Sequence, residues 1–308
     1  MDDTFNVTYL TVGGYVQMKK YRYIYFVIML MLYILIILSN CVIVYLIWTH
    51  QNLHEPMYIF IAALSLNSLL FSTNIYPKLL IDSLSYRQII SYQACLVQYF
   101  LFYSFCGADF LLLAAMAYDR YVAICKPLLY ASIMRKRTVT FLLLFAWLMP
   151  ASQVAVPAVL SAMKKLCHFT LKGIFCNNSV LKLQCVRSRL ITVYGLIVLL
   201  NIAILPVLFI LFTYSKILLI SYRSGRDVRK KAAETCLPHL CILISFSVLC
   251  AYDVVVARLE FNFPKTVRLI MALQVILYNP VLNPIIYGVK MKEIHKHLKK
   301  LLNLENNE

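Results

Sequence analysis

The sequence predicts an all-α membrane protein: seven transmembrane helices in one bundle, closed by a short amphipathic helix after the seventh span. Three observations predict it. Hydrophobic residues make up 62% of the 308-residue chain and charged ones only 14%, with a mean hydropathy of +0.76, whereas a soluble domain carries about 25% charged residues. The charges are grouped: 23–54, 56–77, 88–108, 138–163, 190–215 and 269–289 contain no Asp, Glu, Lys or Arg. Two further apolar stretches, 110–118 and 235–252, are bounded or interrupted by single acids.

A hydrocarbon core about 30 Å thick takes roughly 20 apolar residues as helix, and lipid tolerates no unpaired backbone. The spans therefore fall near 23–48, 57–80, 93–119, 139–161, 190–215, 235–257 and 268–288. This divides the chain into a tail over 1–22, a seven-span domain over 23–288, and a second tail over 289–308. The start, MDDTFNVTYLTVGG, is acidic and polar rather than basic and then apolar. It does not read as a cleaved leader, and the first span is expected to insert as its own anchor. The net charge of +17 lies in the loops, where membrane-flanking charge is ordinary. No basic stripe interleaved with aromatics marks a nucleic-acid groove.

Orientation rests on chemistry more than on charge. With the first tail outside, sixteen of the thirty Lys and Arg fall in inner segments and fourteen in outer ones, so the positive-inside rule barely decides. Asn6-Val7-Thr8 and Asn177-Asn178-Ser179 fit the glycosylation acceptor pattern, which requires a lumenal location. Cys95, Cys167, Cys176 and Cys185 gather on that same side, and disulfides persist in an oxidising compartment. These place the N-terminus outside. Four cysteines allow three pairings. The others (41, 106, 125, 236, 241 and 250) lie in or near spans and read as small packing residues. No Cys/His cluster has metal-ligand spacing, and His239, His295 and His297 read as solitary or interfacial.

The stretch MAYDRYVAICKPLLY, residues 116–130, ends the third span on a fixed charge pair, Asp119 and Arg120. Neighbours in sequence do not face each other squarely on a helix, so their contact is bent and easily exchanged. A guanidinium near lipid needs a partner. The pair reads either as an anchor for the helix end or as a switch.

That stretch resembles the signature of the olfactory receptor branch of rhodopsin-like G-protein-coupled receptors. Other words agree along nearly the whole chain: Ser39-Asn40, LHEPMYIFIAALS (53–65), Trp147, Pro206 with Tyr214, KAAETCLPHL (231–240) and NPVLNPIIYGVK (279–290). The wording of YPKLLIDSLS and KAAETCLPHL is most similar to fish-type odorant receptors.

The resemblance implies a receptor that binds a small-molecule odorant and activates a heterotrimeric G protein of the stimulatory olfactory type, raising cyclic AMP. It implies a plasma-membrane protein of olfactory sensory neurons that performs no catalysis and needs no cofactor. Arg120 would rest on Asp119 and swing toward Tyr214 and Tyr287 on activation; Tyr121, Asn40, Asn283 and Pro284 complete the switch. The pairings Cys95–Cys176 and Cys167–Cys185 are likewise implied by the resemblance. Asp109 lies three helical turns deeper than Arg120 and is an intramembrane acid, a residue class that is rare and usually functional. Related receptors hold sodium with an acid in the second span. Alignment from Pro56 puts Ser68 there beside Asn67, so Asp109 with Ser68, Asn67 and Asn279 either makes a sodium site or is structural.

The implied ligand pocket lies between the outer halves of helices 3, 5, 6 and 7. Helical spacing outward from Arg120 gives Tyr99, Phe102, Tyr103, Cys106 and Phe110. Helix 5 offers Val198, Asn201 and Ile202, helix 6 Ser247, Cys250, Ala251, Val254 and Arg258, and helix 7 Leu273 and Ile276. Phe102 stands where amine receptors place an acid. The seventh span has no lysine for a retinal Schiff base. Met291, Ile294, Leu298 and Leu301 share one face of the tail among lysines, the pattern of a helix lying on an anionic inner leaflet. The rival readings are a non-olfactory receptor on this scaffold, and a channel or transporter. The latter would show inverted repeats and several polar midplane residues, and neither is legible.

Overall fold

The computed structural model describes residues 8–186, 188–224, 240, 243–244, 246–248, 250–251 and 263–301. Six helices among them are long and apolar enough to cross a membrane. The sixth predicted span, 235–257, lies largely outside the described residues; those described between 240 and 251 are helical.

The chain enters through a strand. β1 (Tyr9–Val12) pairs antiparallel with β2 (Ile89–Ser91) and parallel with β3 (Thr170–Leu171), giving the order β2-β1-β3. Leu10 and Val12 are buried beneath the sheet. Residues 13–14 are glycines because backbone passes backbone there: a Cβ on Gly14 would stand 2.4 Å from the carbonyl carbon of Gly173. Gln17, with φ of 47°, takes the left-handed region and turns the chain into the first helix.

α1 (Met18–Thr49) starts five residues before the charge-free run, since Lys20 and Arg22 fit an interfacial first turn. α2 (Pro56–Leu84) opens on a proline, which forfeits an N–H that has no helical partner at that position. α3 (Tyr92–Cys125) is capped by Ser91, whose Oγ accepts from the N–H of Ala94 at 3.3 Å. It is the central element, packed against α2, against the helix of the fourth span and against the inner part of the fifth span. A helical turn at Tyr130–Ile133 leads into α4 (Lys136–Ala162). The fifth span is composite: α5 (Arg189–Leu199), a π-helical segment (Leu200–Ile204), then α6 (Leu205–Ser224). The wide turn sits where Pro206, lacking an N–H, cannot bond back to Ile202. α7 (Lys265–Lys290) is the seventh span, with Pro280 and Pro284 inside it. Met291 breaks the run in an extended conformation, and α8 (Lys292–Leu301) packs back on α7 and α1. Ile294 is fully buried there, Met291 and Leu298 are half-buried, and Leu301 is exposed.

On the sheet side, disulfides join Cys95 to Cys176 (Cα–Cα 5.4 Å) and Cys167 to Cys185 (4.8 Å). The first ties the loop after α4 to the start of α3. The buried Gln98 strengthens that tie, accepting from the N–H of Cys176 at 2.9 Å and exchanging backbone contacts with Asn74 of α2.

Candidate functional site

Three polar constellations run down the inside of the bundle. At the end of α3 away from the sheet, Arg120 donates to one oxygen of Asp119, from Nε at 2.9 Å and from a terminal nitrogen at 2.5 Å. Tyr130 donates to the other oxygen at 2.8 Å. Asp119 is fully buried, while Arg120 is partly exposed. Burial, together with the adjacent Asp119 carboxylate, pushes the Tyr130 phenol well above its ordinary range, so it is a fixed donor. The carboxylate is thus held from two sides, by a cation and by a phenol.

In the middle, Asp109 is 3% exposed and accepts from Asn67 at 2.8 Å and from Asn279 at 2.9 Å. Asn67 also donates to the Phe105 carbonyl and accepts from the indole of Trp147 at 3.1 Å. Asn283 donates to Ser68 at 3.3 Å. Asn40 donates to the carbonyls of Ile36 and Pro280. The network therefore fastens α1, α2, α3, α4 and α7 at one level, where an unsatisfied polar group is expensive. The side-chain oxygens of Asn40 and Asn283 are buried and lack a donor among the described residues.

Nearer the sheet, a cavity of about 230 Å³ opens between α3, α4, α5 and the disulfide-bound loop. Val154, Pro157, Ile191, Val198 and Ile202 give it an apolar wall, with Tyr99 and Tyr103 across from them. Asn178, Lys182, Gln184, Ser188 and Thr192 line it with polar groups from the loop and the start of α5. The N–H of Asn178 donates to the hydroxyl of Tyr103 at 3.0 Å, so the loop is bonded to the cavity wall it covers.

The olfactory receptor family profile matches residues 29–305 of this chain. The chain is 36% identical over 275 residues to human olfactory receptor 51E1, covering 89% of this chain and 86% of that protein. It is 32% identical over 280 residues to human olfactory receptor 52K1 (89% and 88%), and 31% over 286 residues to the dog olfactory receptor-like protein OLF4 (91% and 91%). The chain belongs to the olfactory receptor family. It is an odorant receptor of the G-protein-coupled class, a multi-pass membrane protein and not an enzyme. The family implies seven spans, which supplies the one that falls mainly outside the described residues.

Among the receptor's sequence-derived pocket residues, Tyr99, Tyr103, Val198 and Ile202 line the cavity. Phe102 instead fills an aromatic cluster, 4.9 Å from the ring centres of both Tyr103 and Phe175 and 5.4 Å from that of Phe71. Phe110 packs against Phe246, the tilted rings 4.6 Å apart between centres. Cys106 and Ile276 are buried without lining the cavity, and Leu273 lines a small crevice beside Tyr15 and Tyr25. Asn201, Ser247, Cys250 and Ala251 are not among its walls, and Val254 and Arg258 lie outside the described residues. Tyr214 and Tyr287 are both buried, Tyr287 donating to the sulfur of Met116 at 3.9 Å. Tyr121 is half-buried beside Arg120.

Sequence reasoning missed several contributors. Tyr130 was visible only as the end of a motif, and Trp147 only as a span marker. The loop residues 178–184 and the start of α5 carried no periodic signal. His297, read from the sequence as solitary or interfacial, lies against His50 with ring centres 3.8 Å apart and the rings tilted by 45°. The acceptor Asn177 is half-buried and uses its side-chain oxygen to receive the N–H of Ser179 at 3.1 Å. Asn6 lies outside the described residues.

Proposed function

We propose that the receptor holds its odorant in the cavity between α3, α4, α5 and the disulfide-bound loop. We further propose that it activates a stimulatory olfactory-type G protein at the opposite end of α3, raising cyclic AMP. The observation that supports this is the reach of α3: Tyr99 and Tyr103 line the cavity at one end, and Asp119–Arg120 form the latch at the other. A ligand that favours one packing of α3 against α5 thereby biases the latch, and it shifts the equilibrium only by its differential affinity for the two packings. The arrangement described here, with Arg120 on Asp119, is the resting one in this reading. On activation Arg120 exchanges toward Tyr214 and Tyr287.

The sheet and disulfide side faces the cell exterior in this reading, with the receptor in the plasma membrane and the sequons at Asn6 and Asn177 as glycan acceptors. The middle network suits a hard cation: Asp109, Ser68 and the side-chain oxygens of Asn40 and Asn283 are all oxygen donors. Sodium bound there would stabilise the resting packing.

An odorant panel read by cyclic AMP, in wild type and in Val198→Trp, tests the pocket. The bulky ring should abolish the ligand response while surface display and basal signalling persist. An unchanged dose–response curve would move the ligand elsewhere. Ligand-evoked current in cells lacking any G protein would overturn the coupling.

A further inference from the structure

Apart from Lys182, which lines the cavity, the outer face carries an unbalanced positive charge that ligand recognition there does not use. Of the thirty Lys and Arg, fourteen fall in the outer segments, against five acids, Asp2, Asp3, Asp82, Asp253 and Glu260. Asp82, the acid of that set among the described residues, is buried and taken by Lys78 and Tyr15. Lys20 at the start of α1, Arg87 beside β2, Lys164, Lys165 and Lys172 around β3, and Arg189 at the start of α5 are all exposed. No ion pair to any of these six is formed among the described residues.

Their placement is fixed, not incidental. The order β2-β1-β3 puts Arg87 and Lys172 at opposite edges of one sheet; the Cys95–Cys176 bridge ties the lysine loop to α3, and the Cys167–Cys185 bridge with the bond from Cys185 N–H to the Lys165 carbonyl closes that loop on itself. Cations at the inner face are matched by the anionic lipids of the cytoplasmic leaflet, but the outer leaflet offers no such counter-charge. Like charges held around one rim repel one another and raise the potential of the whole face. A polyanion outside the cell would balance several of them at once along its length, where small ions only screen them.

We propose that this outer rim is a docking surface for a sulfated cell-surface polysaccharide. The inference rests on the orientation proposed above. Exposed single charges on separate loops suit a flexible chain of closely spaced sulfates, which can follow the rim. A protein partner would need a desolvated central anchor. Binding of this kind is dominated by release of counterions and weakens steeply with salt.

The test uses the full chain in nanodiscs of phosphatidylcholine, where both faces are accessible, so the result does not depend on orientation in a cell. Epitope accessibility on intact cells settles orientation separately. The probe is a fluorescent heparin-derived dodecasaccharide at physiological ionic strength. Wild type should bind it and lose it as salt rises, and Lys164→Glu/Lys165→Glu/Lys172→Glu should weaken binding by at least about tenfold. Lys20→Glu/Arg87→Glu, on other loops, should weaken it as well and guards against a folding defect in the first variant. Lys296→Glu/Lys299→Glu on the opposite face should leave it unchanged. Binding no stronger than to empty discs, or equal in both outer-face variants and wild type, overturns the proposal. Adherence to phosphatidylserine vesicles with no binding of the oligosaccharide also overturns it, in favour of a lipid surface.

Discussion

The side-chain amide of Asn40 donates at 2.8 Å to the carbonyl of Pro280, 240 residues away. That carbonyl is the one Pro284 leaves without a helical donor, because residue 284 would otherwise return its N–H to residue 280. A buried carbonyl without a partner costs about 1–3 kcal/mol, so Asn40→Leu should lower the thermal stability of the purified receptor by that order. Pro284→Ala restores the backbone N–H at 284 and makes Asn40 redundant. The double variant should therefore lose much less on account of Asn40 than the single one does. Additive losses in a thermal-shift double-mutant cycle would show that Asn40 is not there for the prolyl gap.

The bond from Tyr130 to Asp119 makes a second claim. Arg120 and Tyr130 occupy different oxygens of one carboxylate, so removing the phenol frees one oxygen without touching the ion pair. Hydrogen bonds to charged groups contribute about 1.5–3 kcal/mol, and the partial exposure of the latch discounts that toward the lower end. Tyr130→Phe should raise basal cyclic AMP a few-fold at matched surface display. If basal signalling does not move, Tyr130 merely packs the inner loop.

Why some of this was legible in the sequence, and some not, follows from the range of each interaction. The spans show as charge-free runs because lipid penalises charge residue by residue. Asp119 and Arg120 show because they are adjacent. Asn40–Pro280 joins segments that no local periodicity connects, so Asn40 was visible and its carbonyl partner was not, whereas Asp109 could be grouped with Asn67 and Asn279 only through the family resemblance. The strand Tyr9–Val12 is invisible for the same reason: it pairs with 89–91 and 170–171. The cavity was half-legible. The implied pocket took Val198, Asn201 and Ile202 from helix 5, but the π-helical Leu200–Ile204 changes the phase there, and Val198 and Ile202 line the cavity without Asn201.

Gly14 tests whether the entering strand matters. Its missing side chain lets the N-terminal segment cross the loop at Gly173, where a Cβ would meet backbone at 2.4 Å. Backbone cannot rotate aside as a side chain does, so Gly14→Val should cost about 1–3 kcal/mol as overpacking. It should also release the segment. The expected result is reduced surface display and faster proteolytic trimming of the N-terminus. Wild-type display with an intact N-terminus would show that the crossing is dispensable.

His297 makes the docking of α8 sensitive to protons. Asn52 donates its amide to Nε2 of His297 at 3.1 Å and to Glu293 at 3.3 Å. That nitrogen therefore carries a lone pair and the ring is neutral. Burial, and then the neighbouring His50, with Lys300 and Lys296 adding to it, push the ring below the ordinary histidine range, while Glu293 opposes them. The sign follows from linkage: the docked ring binds fewer protons than a free one, so protonation favours release. Docking is complete above the ordinary histidine range and weakens as pH falls through it. Hydrogen exchange of the α8 amides, compared between about pH 7.5 and 5.5 and corrected for intrinsic rates, should show protection falling with acidification in wild type. His297→Phe keeps a ring against His50 but cannot titrate, so its protection should stay flat. Equal pH dependence in the two proteins would place the titrating group elsewhere.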